Sequence, residues 1–587
     1  VRSKMVYALP RVWFLISFVL VGVFAYQNDV SRRLQQGTTV APLRLWPTPS
    51  SVEVKGSNGT GLYTGTLPIS PCNFTFVTSA ELAREKSINV DRAVRMYSSL
   101  IFRKDCTNVI DRVPPGTAML THLIVDLHSE GHSEGYTLSV GTADEPTARM
   151  TVKSYEGLLR GLETFSQLVR EHSETEMLVH SGLLIKDSPS FNHRGILVDT
   201  ARNFIPVKEL MRVIDALMYS KMNILHLHIS DSQSFPLQLT TGHGPDVTAS
   251  GAYSKDEVYT VKDISMLVAY ASTHGVTLIP EIDTPGHARA FGLAKGLEGI
   301  VSCANVSGSE YTSCCSEPPC GQLNPSSDLM YTVLGDALAD VSSLFSDSAF
   351  IHLGFDEVND NCWNSDPTIQ EYMKLHDLNT SSLLREFFLR ERKLVPSKHN
   401  TVYWDEVVTA GLHTQLHPED VVQFWHKGNS GLLQEYLKST PVSNRAILSA
   451  YTSYYLDCGA GNEFGQESWC DPYKTWRDMY FNDMLAGINQ TAIDLGRVLG
   501  GESAIWTEVA CAGNLDAALW PRAAAFGSRL WNYEAGTKAA SQNNGWVDVE
   551  LNIAAHASSL VSRGIGAGQV MPEFCQHQPS LCFPTIS

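Results

Sequence analysis

Asp356 and Glu357 stand side by side in the segment His352-Leu353-Gly354-Phe355-Asp356-Glu357-Val358, and two adjacent carboxyls at such a place invite an acid–base reading. A retaining glycosidase of the ordinary kind needs two carboxyls ~5 Å apart across the anomeric carbon, usually from different strands. Neighbours within a strand point to opposite faces. At a strand end, however, two neighbours can touch successive parts of one substrate: one carboxyl protonates the leaving oxygen while the other holds a group beside the reaction centre. Further residues of matching chemistry recur along the chain: Asp199 and Arg202, Asp231, Glu281, Asp283 and His287, Trp404, Asp405 and Glu406, Trp425, Tyr455 and Asp457, Trp506 and Glu508. Aromatic faces stack on pyranose rings and carboxylates accept hydroxyl hydrogen bonds, so this set suits a sugar site.

Each residue also has an ordinary role. A Trp in a strand commonly fills a core, an Asp after a strand commonly caps a helix, and Arg202 can pair with Asp199 or Asp231 as readily as it grips hydroxyls. His226-x-His228 places two imidazoles on one strand face, as in a metal-dependent barrel hydrolase. No third and fourth ligand stand at matching spacing, so neither a metal nor another cofactor is expected.

What must position these groups is a series of strands separated by helices. Strands are expected at His193 to Val198, Asn223 to Ile229, Val276 to Ile282, Phe350 to Phe355, Thr401 to Trp404, Val421 to Trp425, Ala446 to Ala450 and Ser503 to Trp506. Between them, Pro206 opens a helix whose Val207, Leu210, Met211, Ile214, Leu217 and Met218 recur at helical spacing, with others at 262–274, 328–345 and Ala517 to Phe526. Eight such strands suggest an α/β fold with a (β/α)8 TIM barrel over 191–587, in which chemistry sits where strands end. Residues 28–190 mix short β-rich runs (Thr121 to Leu127, Tyr136 to Val140, Ala148 to Val152) with one helix, Tyr155 to Val169, and read as a smaller, non-catalytic α+β domain. The stretch Lys186 to Ser190 reads as a turn-rich linker.

The chain has 587 residues, 43% apolar and 18% charged, enough for a large core and too few charges for a disordered or coiled-coil protein. A net charge of -18 without a basic patch argues against nucleic acid as a partner. Val12 to Tyr26 is apolar and follows Arg2, Lys4 and Arg11, so 1–27 reads as a signal peptide, with Val23-Phe24-Ala25 before the cut, or as an uncleaved signal anchor. Only an uncleaved segment would bring a membrane into play. Twelve cysteines without a CxxC pair favour disulfides over zinc, and sequons at Asn58, Asn73, Asn305, Asn379 and Asn489 are candidate glycosylation sites. The expected location is the secretory pathway, ending in a lysosome-like compartment, the extracellular space or the cell surface.

The segments His193 to Arg202, Asn223 to Pro236, Pro280 to His287, His352 to Val358, Tyr403 to Val407, Ser453 to Asp457, Trp506 to Glu508 and Trp531-Asn532 together resemble the β-N-acetylhexosaminidases of glycoside hydrolase family 20, over about residues 40 to 575. The resemblance implies an exo-acting enzyme that removes terminal β-linked GlcNAc or GalNAc from a glycan or glycoconjugate with retention, the substrate's own 2-acetamido carbonyl attacking C1. It gives Glu357 the role of general acid and base, has Asp356 orient the acetamide, and has Tyr455 hydrogen-bond its carbonyl. Trp404, Trp425 and Trp506 would wall the sugar, Arg202, Asp457 and Glu508 would grip ring hydroxyls, and Asp231 and His287 would support the acid pair. Apolar walls and a neighbouring carboxylate are expected to raise the pKa of Glu357. Ser232 stands where many members carry a second Asp, and Tyr454 where a Trp is common.

Proximity and the resemblance together favour Cys72–Cys106, Cys303–Cys362 and Cys575–Cys582 as disulfides. A homodimer is a further expectation, because eukaryotic relatives are often dimers. A sugar-binding protein that has lost turnover is the competing reading, and it is disfavoured because both Asp356 and Glu357 are present.

Overall fold

A computed structural model describes residues 41–54, 63–79, 87–102, 116–128, 134–171, 177–306, 308–426, 431–461 and 468–583. The signal segment 1–27, Cys106 and Asn58 lie outside the described residues.

The first part is α+β. A six-stranded sheet runs in the order Ser51–Val54, Leu183–Asp187, Tyr136–Val140, Ala148–Val152, His122–Leu127, Thr75–Thr78. Beside it lies a four-stranded sheet containing Tyr63–Ile69 and Met177–Ser181. Helix Tyr155–Leu168, capped by Ser154, buries Leu158, Leu159, Leu162, Phe165 and Leu168 at the spacing the sequence shows. Lys186 and Asp187 belong to a strand rather than to a linker. Asp187 is the centre of a seam with the second part: its carboxylate lies 2.8 Å from Lys221 Nζ with both side chains fully buried, and it accepts from Tyr136 (2.7 Å) and Trp531 Nε1 (2.9 Å). Breaking such a buried pair from one side costs about 3–5 kcal/mol, because an unpaired charge is left behind.

The second part is a closed parallel barrel of eight strands: β1 (His193–Asp199), β2 (Ile224–Ser230), β3 (Thr277–Thr284), β4 (Phe350–Gly354), β5 (Asn400–Trp404), β6 (Val421–Phe424), β7 (Arg445–Leu448) and β8 (Val498–Ile505), with β8 pairing back on β1. Alternation along each strand decides what fills it. Ile196, Val198, Leu225, Leu227, Ile229, Leu278, Ile282, Ile351, Leu353, Val422 and Phe424 belong to the main apolar core, continuous with helix residues such as Leu210, Ile214, Leu334 and Phe526. The alternate positions form separate groups: Val402, Val421 and Ile447 pack together in one layer, and Leu197, Trp404 and Ala504 join the aromatic cluster of the pocket. Between them His226, His228, Glu281, His352, Gln423 and Glu502 are buried in place of the branched apolar residues usual in a barrel.

Two barrel elements differ from the sequence reading by more than two residues. Strand β8 begins at Val498 rather than Ser503, because Gly500 and Gly501 interrupt the apolar pattern without interrupting pairing to β1 and β7. The helix expected at Ala517 to Phe526 is two helices, Leu515–Leu519 and Arg522–Trp531, since Pro521 lacks the N–H that would continue the first.

Disulfides join Cys303–Cys362 and Cys575–Cys582, as expected, and also Cys315–Cys320 and Cys458–Cys470. The proposed partner of Cys72 is not among the described residues. Asn73, Asn305, Asn379 and Asn489 are exposed, and Asn379 and Asn489 cap helices with their side-chain oxygens. Among the described residues no helix is long and apolar enough to cross a membrane.

Candidate active site

The strand ends that carry the acidic and aromatic residues converge on one cavity of about 400 Å³. Arg202, Asp356, Glu357, Trp404, Trp425, Tyr455, Asp457, Trp506 and Glu508 all line it, as does His287. Asp231 lies behind the wall, fully buried, against Arg202 and His287.

Asp356 and Glu357 follow β4 directly, and the backbone there is unusual: Gly354, Phe355 and Glu357 have φ of 67°, 81° and 53°, and His287 has 52°. Left-handed conformations at non-glycine residues are costly and persist where surroundings over-determine them. At Gly354 the reason is space, since a Cβ would stand 1.7 Å from Asp283 Oδ1. Burial, then the charge of Asp356, raises the Asp283 carboxyl well above its ordinary range, and in its protonated form its hydroxyl can donate to Asp356. Asp356 is pushed up to about 6, by burial first and then by Glu357 and Glu281, with His287 opposing.

Glu357 departs from expectation. Its side chain is 31% exposed, and His287 Nε2 lies 3.2 Å from its Oε2. Burial raises the carboxyl, but the hydrogen bond and charge of His287, with a hydrogen bond from Ser316, outweigh it and hold Glu357 below its ordinary value in the open pocket. Sequence reasoning erred here because it counted the apolar walls and not the imidazole. His287 itself is held well above the usual range: burial opposes, but Asp231 at 3.2 Å and Glu357 keep it cationic.

The aromatic walls are fixed by their polar edges. Trp404 Nε1 donates to Glu281 Oε1 (2.9 Å), and Trp425 Nε1 donates to Glu406 (3.1 Å). Tyr455 stacks near-parallel to Trp425 with centroids 6.3 Å apart and stands 6.0 Å from Trp506, while Trp404 and Trp506 are 6.3 Å apart. Four rings thus surround one space. Arg202 pairs with carboxylates and also lines the pocket: it lies beneath the Trp506 face (5.0 Å), and its guanidinium lies 2.8 Å from Asp231, 3.0 Å from Glu317, 3.4 Å from Asp199 and 4.0 Å from Glu508. Burial raises Glu508 well above its ordinary value against the pull of Arg202, so this carboxyl can donate as well as accept.

Tyr311, Ser316, Glu317 and Trp469 line the cavity too, and the sequence reading did not find them. They lie on long excursions away from the strand ends. The signal available was cysteine: Cys315 and Cys320 bracket Ser316-Glu317, and Trp469 adjoins Cys470, the partner of Cys458. Tyr454 turns away from the pocket, stacking on Phe526 at 3.8 Å with Asn482 donating to its hydroxyl. Ser232 is buried, its backbone N–H donating to Asp231.

His226, Glu281 and His352 offer ligand atoms within 4.8 Å of one another, the donor set a metal would need. Those residues are already engaged with one another: His226 lies 3.1 Å from Glu281 and 2.9 Å from Glu502, and His352 Nδ1, 3.1 Å from Glu281, accepts from the Gly354 N–H.

Known proteins are similar to this chain over most of its length. Residues 191–534 match the family model for the catalytic domain of glycosyl hydrolase family 20, and 45–168 match a model described as β-acetyl hexosaminidase like. The chain is 33% identical over 557 residues to the β-hexosaminidase subunit beta of Felis catus, covering 92% of this chain and 96% of that one. It is 34% identical over 468 residues to a chitooligosaccharidolytic β-N-acetylglucosaminidase of Bombyx mori, covering 77% and 75%. Among solved structures, a chitobiase of Flavobacterium johnsoniae superposes with a TM-score of 0.67 at 25% identity, over 89% of this chain and 73% of that one.

Proposed function

This chain belongs to glycosyl hydrolase family 20 and has β-N-acetylhexosaminidase activity, and from that membership we propose that it removes terminal β-linked N-acetylhexosamine by a substrate-assisted, retaining route. The observation that carries the reading is the adjacency of Asp356 and Glu357 at the end of β4, one backed by Asp283 and the other by His287, inside a box of four aromatic rings.

Glu357 is the general acid and base. The proton it needs is held by the Glu357–His287 pair. In the open pocket it rests on His287 Nε2, and when sugar displaces water the neutral pair is favoured, so the proton passes to Glu357 Oε2. Glu357 then protonates the glycosidic oxygen as the C1–O bond breaks and the acetamide oxygen bonds to C1. Asp356 accepts from the acetamide N–H and stabilises the positive oxazolinium, a role suited to electrostatic preorganisation in a desolvated site. Tyr455 donates to the acetamide oxygen, and Trp404 and Trp425 confine the methyl group. Water next attacks C1 from the side the leaving group vacated, Glu357 takes its proton, and the acetamide is restored.

Arg202, Asp457 and Glu508 bind ring hydroxyls, which makes the action exo. Trp469 is 59% exposed and stands edge-on to Trp425 at 5.9 Å, a platform for the sugar or aglycone that leaves. That platform favours chitooligosaccharides among natural substrates, in keeping with the name of the Bombyx relative. The disulfides fit an oxidising compartment, and we place the enzyme on the secretory route.

The test is hydrolysis of an aryl N-acetylglucosaminide beside the matching β-glucoside, with the first-formed anomer followed by NMR. Turnover of the first alone, with β product, is expected. Comparable turnover of the glucoside, or initial α product, would refute the mechanism.

A further inference from the structure

Glu281, on β3, has both carboxylate oxygens engaged deep in the barrel. Its Oε1 accepts from Trp404 Nε1 at 2.9 Å, and its Oε2 lies 2.7 Å from His228 Nδ1 and 3.1 Å from His226 Nε2. From His228 the contacts run toward the cavity: His228 Nε2 lies 3.2 Å from Asp231, Asp231 lies 3.2 Å from His287 Nδ1, and His287 Nε2 lies 3.2 Å from Glu357. They also run away from it, through His226 Nδ1 to Glu502 (2.9 Å) and from Glu502 to His193 (2.5 Å). Acids and imidazoles alternate in an unbroken line from the cavity to the first residue of β1.

The geometry fixes the charges. An imidazole donates from both nitrogens only as the cation, and both nitrogens of His228 and of His287 are within hydrogen-bonding reach of carboxylates, whereas His226 bonds Glu502 through Nδ1 alone. His228 and His287 are therefore imidazolium ions on either side of Asp231, and the charges of Glu502 and Glu281 raise His226 against its burial. The groups facing each one agree. His228 meets Glu281, Asp231 and Asp199, with the Trp506 ring edge-on at 4.9 Å. His287 meets Asp231, Glu357, Asp283 and, at 3.8 Å, Asp356. Asp231 meets Arg202 besides the two imidazoles. His352, 3.1 Å from Glu281, is different: its Nδ1 accepts from the Gly354 N–H at 3.0 Å, and burial keeps it neutral.

We propose that Glu281 is a positioning residue for the hydrolytic step: through His228, Asp231 and His287 it holds the proton that Glu357 delivers, and through Trp404 Nε1 it fixes the wall against which the acetamide lies. The proposal rests on the reading of Glu357 as the acid. A neutral residue at 281 removes the anion that keeps His228 doubly protonated. A neutral His228 can donate to only one partner, so Asp231 turns from His287 and the His287 proton is released at lower pH. The same substitution loosens Trp404. One buried carboxylate thus couples the acid half of the site to the acetamide half.

The experiment compares Glu281→Gln, His228→Gln and, as a control, Asp187→Asn, which breaks an equally buried ion pair at the domain seam. Tm is measured for each, and kcat against pH on an aryl N-acetylglucosaminide with a poor leaving group. Glu281→Gln and His228→Gln are expected to lower kcat about 10- to 100-fold, the range for loss of a supporting partner or slight misplacement of a reacting group, and to move the basic limb of the profile to lower pH. Asp187→Asn should lower Tm and leave that limb in place. A folded Glu281→Gln enzyme with the wild-type kcat and basic limb overturns the proposal. If neither ladder variant folds, ¹⁵N NMR of histidine-labelled wild-type enzyme near neutral pH decides: doubly protonated His228 and His287 support the ladder, and a neutral His228 overturns it. Failure of the underlying acid reading is separately visible, because Glu357→Gln would then hydrolyse poor leaving groups normally.

Discussion

Glu317 Oε2 lies 3.0 Å from Arg202 Nη2, so a six-residue loop closed by the Cys315–Cys320 disulfide reaches into the pocket and engages the guanidinium that also meets Asp231. Gln233 donates to the other oxygen at 2.7 Å. Burial pushes Glu317 up to about 7, with Arg202 opposing and Asp231 adding to the rise. Its charge therefore changes where enzymes are commonly assayed. Once ionised it competes with sugar hydroxyls for Arg202. KM should rise about threefold or more as pH passes through that value, the scale of one partly exposed ion pair. Glu317→Gln should flatten the rise with little change in kcat. The same slope in the variant would show that Glu317 is not the titrating group.

Glu391 is fully buried between barrel and helices, with Thr284 donating to one oxygen, and burial pushes it up to about 8. A carboxyl with a raised pKa binds more protons folded than unfolded between its ordinary value of 4.5 and about 8. Its contribution to stability therefore falls as pH rises across that window, by an amount on the order of a few kcal/mol. His180 and His556, lowered by burial to about 4 and about 3, act in the opposite sense below their ordinary value, so the clean measure is a difference. Tm of Glu391→Gln minus Tm of wild type should increase steadily from pH 5 to pH 8. A constant difference would mean that Glu391 is not held neutral by the fold.

The turn Leu456-Asp457-Cys458, locked to Cys470, presents Asp457 to the cavity and no cation. A carboxylate facing a sulfate ester costs Coulomb energy. Neutral aryl glucosaminides should be hydrolysed faster than their 6-sulfated forms, and equal or better kcat/KM on the sulfated sugar would contradict this.

How much of this was legible in sequence depends on the kind of residue. The eight strands and the rim residues from Arg202 to Glu508 could be placed because an apolar run ends at each, and barrel chemistry sits at strand ends. Glu317 and Trp469 could not, because they ride on loops whose path is set by disulfides rather than by periodicity. The ladder was half visible: His226, His228 and Glu281 drew attention as residues near strand ends, but they lie within the strands, and Glu502 was hidden in a Gly-rich stretch. Which imidazole faces which carboxylate is a matter of register between strands that are distant in sequence, such as Leu197 beside His226 and His228 beside Glu281.

The two neighbouring carboxyls should separate by leaving group. Asp356→Asn should lower kcat by roughly 10²-fold or more for every substrate, the cost of one electrostatic stabiliser. Glu357→Gln should slow poor leaving groups far more than activated aryl ones, because only the former need the proton. Equal losses on both classes for Glu357→Gln would remove it as the acid.

The central claim is that the acetamide oxygen, rather than an enzyme carboxylate, bonds to C1. The most direct measurement is kcat/KM for a series of aryl glucosaminides whose N-acetyl methyl carries none, one, two or three fluorines, each of which weakens the carbonyl as a nucleophile. A steep, monotonic fall across the series is expected, ending in a loss of about 10²-fold or more, because nucleophilic attack contributes to the rate-limiting barrier. A flat series, together with a covalent ester on an Asp or Glu trapped by a 2-fluoro sugar, would contradict the account and return the enzyme to the ordinary two-carboxylate mechanism.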